Sequence, residues 1–570
     1  MKRNKYLLLV SSLGVFALLV TAAVEEHWLK PWRRIQRSAR GEEGPVRVQL
    51  RQVVNAALGV ADRCTSCHLS MAPGEQGVVG DRLLVPHRPV VHDPAEYGCT
   101  ICHGGQGQAT EPADAHGAVA FWPEPMLPAR FSYAGCGSCH SLPAVPRQEI
   151  LERARLAFER LDCLACHRLE GRGGTLRPGG LGMEGPDLSR TGLAGYDGGW
   201  YGGHLAKSRA AAGGPWKTSF GEISAEDQEL LRIFLDTRMG APGLIEAKAA
   251  FHSAGCLGCH KVSGVGGDEG PDLSQAGLKD PGRLDYRAVT GERNLPNWLA
   301  EHFRSPSSVV AGSQMPALGL TDRQIELLTF YTLSLRRRDL PGSYLPRDRL
   351  RVTRMGEREF AGDGATLFGA FCAGCHGLRG EGRRAPGMPA FPANANPDLL
   401  ELASDDFLRN TIERGRPGRR MPSWGLKDGG LRPQEIRAIV GYLRRLGGTA
   451  YQPDGRPPRW VAGDATEGRR LFASACAGCH GARGEGGEGP ALNNPVLLAG
   501  AGDSFLVETI SRGRRGTAME GFLQPSLRRP ALSRDQIYSL VAFLRTWEKA
   551  PARPSPAALA PAQTTQGAAR

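Results

Sequence analysis

Cys-x-x-Cys-His occurs seven times in this chain and takes up all 14 of its cysteines. The copies are Cys64-Thr-Ser-Cys67-His68, Cys99-Thr-Ile-Cys102-His103, Cys136-Gly-Ser-Cys139-His140, Cys163-Leu-Ala-Cys166-His167, Cys256-Leu-Gly-Cys259-His260, Cys372-Ala-Gly-Cys375-His376 and Cys476-Ala-Gly-Cys479-His480. This is the attachment pattern of c-type haem: two thiols form thioethers to the porphyrin edge, and the adjacent histidine sits under the iron as proximal ligand. A disulfide framework would not place a histidine after every second cysteine. Zinc sites need paired knuckles at short spacing, whereas these copies stand about 30 to 115 residues apart. The expectation is therefore seven covalent haem c groups, with the seven motif histidines as proximal ligands.

At 570 residues the length implies several domains. Aromatic residues are few (7%), while Gly (76) and Pro (41) are many. A haem is itself a large apolar body, so a small domain can build its core around one without many Phe or Trp. The formal charge of +13 resembles that of a polyanion binder. Two propionates per haem offset much of it, and no nucleic-acid recognition motif accompanies it, so a nucleic-acid partner is not expected.

Residues Tyr6 to Val24 contain no charge. At about 1.5 Å per residue they span roughly one bilayer core. Lys2, Arg3 and Lys5 precede them, and Trp28 and Trp32 follow as candidate interfacial anchors. The reading is an uncleaved transmembrane helix; the competing one is a signal peptide cleaved near Thr21-Ala22-Ala23. Lys30, Arg33, Arg34, Arg37 and Arg40 outnumber the preceding positive charges and by the positive-inside rule would invert the span. Haem chemistry decides otherwise. The c-type attachment machinery works outside the bacterial cytoplasmic membrane, so the haem-bearing body is expected in the periplasm.

The rest of the chain has two unlike parts. Residues 50–145 carry three motifs 35 to 37 residues apart, are rich in Gly, Pro and His, and show little helical periodicity. From about 146 the motif recurs at spacings of 93, 116 and 104 residues with repeated surroundings, an internal repeat. A Phe precedes the first Cys by five or four residues (Phe158, Phe251, Phe368, Phe472). Glu-Gly-Pro-Asp-Leu-Ser follows at 184–189 and 269–274, and Gly489-Pro490-Ala491-Leu492 is a relative of it. Ser533-x-x-Gln536 and Thr321-x-x-Gln324 read as capping boxes. Ile537, Leu540, Val541 and Leu544 then share a helix face, as do Ile436, Ile439, Val440 and Leu443.

On these residues the repeats resemble class I cytochrome c domains: a helix entering the haem motif, a Gly-Pro loop over the proximal His, a distal Met loop and a closing helix. The resemblance covers about 146–548. The implied fold class is mainly α. A transmembrane anchor (1–24) and juxtamembrane segment (25–49) lead into an irregular, haem-organised trihaem segment (50–145). Four tandem cytochrome c units (146–241, 242–340, 355–448, 460–548) and a disordered Ala/Pro/Gln/Thr-rich tail (549–570) follow. Residues 336–358 and 449–461 read as linkers.

The sixth ligand decides what each haem does. Met raises the potential, His lowers it, and an empty position permits substrate chemistry. Three further histidines, His87, His92 and His116, lie between the first and third motifs and match three bis-His haems in number; which serves which is left open. Met71 and Met126 are the substitutes. The strings Trp32 with Gln36, Pro86-His87, His92-Asp93-Pro94, Gly98 to Gly107 and Asp114-Ala115-His116-Gly117 also resemble a family of membrane-anchored multihaem cytochromes found beside quinone-linked respiratory complexes. That resemblance implies quinol-side electron transport.

Met315-Pro316 lies 55 residues after His260, and Met421-Pro422 lies 45 after His376, each before a closing helix as a distal Met should be. Met519 lies 39 after His480, with Glu520 in place of Pro. Around His167, aligning Trp200 with Trp298 and His204 with His302 sets Lys217 opposite Met315. Lys217 ligates only as the neutral amine. Met183, His204 or Met239 are alternatives there, and an open iron is another. His27, His252 and His302 read as structural.

Two functions follow. In the first, the chain is an electron-transfer protein. It would pass electrons from a quinol-oxidising membrane partner, of cytochrome b type, through low-potential bis-His haems to His/Met haems, and on to a soluble periplasmic cytochrome or a terminal oxidase or reductase. In the second, it is a periplasmic reductase, peroxidase or sulfur-compound dehydrogenase whose active haem is at Cys163–His167.

Overall fold

The computed structural model describes residues 2–41, 44–71, 87, 90–174, 185–194, 196, 199–203, 223–384, 390–527 and 529–548. It is mainly helical. The charge-free stretch falls within one helix, α1 (Lys2–Val24), whose window of highest hydropathy is long and apolar enough to cross a membrane and has none of its surface buried in protein. A short amphipathic helix, α2 (Pro31–Ser38), follows and buries Trp32 and Gln36.

Two compact units divide the chain: residues 1–256, 260–263 and 270–362 form one, and residues 257–259, 264–269 and 363–570 the other. In the first, residues 50–145 contain no α-helix longer than four residues among those described. Their regular structure is a two-stranded hairpin (Val53–Asn55 against Val60–Asp62), single helical turns, and a tight helical run at Ala129–Ser138. The remainder of this unit is α3 (Gln148–Arg160), α4 (Ala225–Asp236), α5 (Leu244–Ser253), α6 (Leu295–Arg304), α7 (Asp322–Ser334) and α8 (Arg347–Met355). α3 packs on α4 and on α5, and α7 packs on α5, on α6 and on the run at 129–138.

The second unit holds α9 (Gly364–Phe371), α10 (Asp405–Arg414), α11 (Pro433–Gly447), α12 (Ala465–Ala475), α13 (Asp503–Arg512) and α14 (Arg534–Arg545). α9 pairs with α11 and α12 with α14. The two pairs join through Phe407 against Phe505 (5.0 Å between ring centres) and through the ion pairs Arg512–Glu401 and Arg515–Asp398.

The helix starts follow from their caps. Ser224, Asn294, Thr321, Asp363, Ser404, Asp464 and Ser533 each accept a backbone N–H of the first turn, and Thr321/Gln324 and Ser533/Gln536 form the full reciprocal box. The apolar faces meet in a repeated contact. Phe158, Phe251, Phe368 and Phe472 are all buried on the entering helices. Each meets an aromatic of the closing helix: Phe234 (4.7 Å), Tyr331 (4.7 Å), Tyr442 (5.5 Å) and Phe543 (5.5 Å). Ile436, Ile439, Val440 and Leu443, and Ile537, Leu540, Val541 and Leu544, are buried as their periodicity requires.

One stretch departs from its reading as a linker. Residues 336–358 include α8, which buries Asp348 completely, and the chain beyond it runs back beside residue 145 (Ala144 N–H to Arg358 O, 2.8 Å; Ala361 N–H to Val145 O, 3.0 Å). Its high Arg content mimics a solvated segment. In the fold those arginines bond inward, Arg337 to Ser141 Oγ and Glu359 and Arg349 to Arg338 O.

Candidate haem-binding sites

All seven Cys-x-x-Cys-His segments adopt one turn. The His N–H donates to the carbonyl of the first Cys at 2.9 Å for His68, His103, His140 and His376 and at 3.0 Å for His167, His260 and His480. The turn sets both thiols and the imidazole on one side of a short helical segment, as a planar group attached through two edges and one axial bond requires. Cys64, Cys67, Cys99, Cys102, Cys136, Cys139, Cys163, Cys166, Cys256, Cys259, Cys372, Cys375, Cys476 and Cys479 form no disulfide, and each is at least partly exposed, so every pair can bond to a haem edge.

Four of the histidines are fixed by a proline carbonyl. Nδ1 of His167, His260, His376 and His480 lies 2.8–2.9 Å from the carbonyl oxygens of Pro186, Pro271, Pro392 and Pro490. This contact holds Nδ1 as the donor and leaves Nε2 for a metal. Glycine before the proline is a packing requirement in three of them. A Cβ on Gly185, Gly270 or Gly489 would come within 2.4 to 2.8 Å of the imidazole. In the remaining one Phe391-Pro392 serves. Burial pushes His260, His376 and His480 below their ordinary value, which keeps the rings neutral.

In residues 50–145 the three motifs are stitched directly to one another. Asp62, buried two residues before Cys64, accepts from Cys99 N–H (2.6 Å), Thr100 N–H (2.7 Å) and Thr100 Oγ (2.7 Å), so the first motif caps the turn that carries the second. The backbone of the third motif's run lies on the second: a Cβ on Gly135 would sit 1.8 Å from Cys102 O. The first motif is tied toward the anchor by buried Gln36, which donates to Ser66 O (2.8 Å) and Gln49 O (3.0 Å).

The three spare histidines each face one proximal histidine. Ring centres are 6.4 Å apart for His68 and His116, 6.1 Å for His103 and His87, and 6.1 Å for His140 and His92. Two imidazoles bound to opposite sides of one ion through bonds of about 2 Å keep their centres roughly 6 Å apart. Burial, then the charge of the facing ring, holds His68, His103 and His92 below their ordinary value.

In the second unit the Met loops repeat each other. Arg416 N–H donates to Met421 O (2.9 Å) and Arg514 N–H to Met519 O (2.7 Å). Both guanidinium groups are pushed down to about 10 by burial, and each has a buried Nη1 without a partner. A buried cation with an open donor calls for a carboxylate, and haem brings two. The facing ring pairs and these donors fit haem c. Met315, Met421 and Met519 are half-buried. Lys217, with His204 and Met183, lies outside the described residues; Met239 is buried.

The sequence reading missed several of these groups. Asp62, Asp348, Arg416 and Arg514 carry no motif, and only their three-dimensional partners mark them. Asp348 Oδ1 lies 2.9 Å from His140 Nδ1. His302, read as structural, stacks on Trp298 (5.2 Å) and is pushed down to about 4 by burial and then by the charge of His260.

Comparison with known proteins agrees with this geometry. A family model for cytochrome c matches residues 245–336 and 465–548, and one for cytochrome c oxidase, cbb3-type, subunit III matches 360–443. The cbb3-type cytochrome c oxidase subunit FixP of Bradyrhizobium diazoefficiens is 35% identical over 175 residues, 29% of this chain and 56% of the relative. Subunit CcoP of Azospirillum sp. (strain B510) is 31% identical over 171 residues, 27% of this chain and 53% of the relative. The chain thus spans a little over half the length of these curated relatives. A solved reducing HAO-like protein complex of Kuenenia stuttgartiensis overlaps 33% of this chain and 96% of its own at 19% identity, with a TM-score of 0.23. A TM-score that low carries no structural argument.

Proposed function

We propose that this chain, a membrane-anchored multihaem c-type cytochrome, carries seven haems and conducts electrons away from a membrane quinol-oxidising partner. The observation that carries the count is the single turn geometry shared by all seven motif histidines. Haem, when bound, supplies reversible one-electron exchange at iron, at lower potential with two His ligands and at higher potential with His and Met.

The facing rings support bis-His ligation by His68 with His116, His103 with His87, and His140 with His92. His260, His376 and His480 would take Met315, Met421 and Met519 opposite them, and His167 would take Lys217. Arg416 and Arg514 would bind propionates. The tie from Gln36 to the first motif supports entry of electrons on the membrane side. The low-potential centres would therefore lie nearest a cytochrome b–type or other quinone-linked subunit. The His/Met centres would deliver to a soluble periplasmic cytochrome or to a terminal oxidase or reductase. Kinship with subunits named for cbb3-type oxidases favours the oxidase. Because covalent attachment occurs outside the cytoplasmic membrane, the body would face the periplasm.

Carbon monoxide added to the dithionite-reduced protein tests the reading, together with a mass measurement of the haem count. Seven haems and no Soret change are expected. A change equal to one haem in seven, lost in Cys163→Ala/Cys166→Ala, would replace the conduit by an enzyme with an open iron at His167.

A further inference from the structure

The proximal histidines are not supported alike. Where Nδ1 of four of them meets a neutral proline carbonyl, Nδ1 of His140 meets a carboxylate, Asp348, 2.9 Å away. Among the described residues no other motif histidine does so. Asp348 comes from α8, more than 200 residues further along the chain and within the same unit. It is 0% exposed.

The arrangement is built for a fixed charge. The second oxygen of Asp348 accepts from Ser141 N–H (2.8 Å) and Leu142 N–H (3.3 Å), and an imidazole whose Nε2 is given to iron meets Oδ1 through its Nδ1–H. The carbonyls of those same two residues are held by the buried Lys248 ammonium at 3.0 Å each. Lys248 bonds in turn to Glu359, which Arg337 also holds. Five residues from four separate stretches therefore hold one carboxylate against one imidazole.

A charge-assisted bond of this kind is roughly twice as strong as one to a neutral acceptor. It pulls the ring toward imidazolate and makes it a more basic metal ligand. A more basic axial ligand stabilises ferric over ferrous iron. We propose that Asp348 is a positioning residue that, acting through His140, makes the haem at Cys136–His140 the lowest-potential centre of residues 50–145. The inference rests on the bis-His reading of His140 with His92. The third motif also adjoins the second cytochrome c unit, that of His260: a Cβ on Gly137 would lie 2.1 Å from Ser334 O, and Arg338 N–H donates to Ser138 O at 2.9 Å. The lowest potential thus stands where electrons leave the trihaem segment, a short rise before the drop to the His/Met centres.

The test is a spectroelectrochemical titration of the full-length holoprotein and of Asp348→Asn, with electron paramagnetic resonance to resolve the low-spin haems. The haem count and near-infrared magnetic circular dichroism of the wild type come first. Absence of three bis-His haems there would overturn the bis-His reading, and the inference with it, before any variant is made. With three present, the expected result is that the lowest transition alone rises. Its reduced-to-oxidised ratio at fixed potential should change at least tenfold, 59 mV for a one-electron couple, with its signal displaced and the other six unchanged. An unmoved lowest transition at full haem content overturns the inference, as do three transitions moving together. If Asp348→Asn loses the haem, Asp348→Glu is read instead. It keeps the charge and displaces it by one methylene, so a shift confined to the lowest transition supports the inference and none overturns it.

Discussion

Residues 50–145 and residues 363–548 present the same Cys-x-x-Cys-His turn by opposite means. In the second unit each proximal histidine follows a helix of eight or eleven residues (α9, α12) whose buried Phe packs on a closing helix. There helix packs on helix through the protein's own side chains. In residues 50–145 His68 and His103 hang on single turns and His140 on the tight run at Ala129–Ser138, joined by one carboxylate, by backbone laid on backbone, and by pairs of facing rings. A cofactor there replaces the hydrophobic core; in the second unit it fills a slot beside one.

The largest test of that contrast removes a haem from each region. Replacing Cys99 and Cys102 by Ala is expected to expose the whole of residues 50–145 to limited proteolysis and to abolish all three bis-His signals, because the second motif is stitched to both neighbours. Replacing Cys476 and Cys479 by Ala should cost one haem while leaving α12 and α14 protected. Equal protection in both variants would erase the distinction.

Next in size is a cut into the helix-built core. Phe472 is 2% exposed and touches both Phe543 and Trp547. Phe472→Ala should destabilise the last domain by about 3–5 kcal/mol, read as an early denaturant transition that leaves the bis-His spectrum unchanged.

Acid distinguishes the regions in another way. His252 on α5 is buried beside Phe360 and Lys248, and burial, then the Lys248 charge, pushes it down to about 3. Between pH 6.5 and 3 the unfolded chain holds a proton that the folded chain excludes. Stability is therefore full above 6.5 and falls as pH drops through this window, by about 5 kcal/mol at most. His252→Phe should flatten the melting temperature of the first unit between pH 7 and pH 4. A variant as acid-sensitive as the parent would assign the loss to other groups.

How far each region was legible follows from the same physics. The helices showed in the sequence because an amphipathic repeat and a capping box are local: Thr321 with Gln324, Ser533 with Gln536, and the face of Ile436, Ile439, Val440 and Leu443 need no knowledge of the partner. The cysteines and proximal histidines were legible because attachment requires adjacency. The pairing of His87, His92 and His116 was not, since it depends on loops returning across 16 to 48 residues. Asp348 was hidden further, inside an arginine-rich stretch that reads as solvated until its partners 207 residues away are seen.

The smallest effect probes the polar stitch itself. Asp62 satisfies two backbone N–H groups of the Cys99 turn and the Thr100 hydroxyl, all at 2.6–2.7 Å. Asp62→Ala takes the acceptor from those donors at a place where the backbone presses on the carboxylate: a Cβ on Gly98 or Gly107 would lie 2.8 Å or 1.8 Å from its oxygens. A buried donor deprived of its partner costs about 1–3 kcal/mol, partly recovered where water enters the vacated volume. The expected loss is roughly 2 kcal/mol, confined to the first two motifs. Hydrogen exchange should rise at Cys99 and Thr100 and stay unchanged at Cys372 and Cys476, whose turns continue from a helix and use no carboxylate. Exchange that rises equally at Cys136 would mean that the three motifs open as one unit, the effect passing from the second motif to the third through the backbone contact at Gly135.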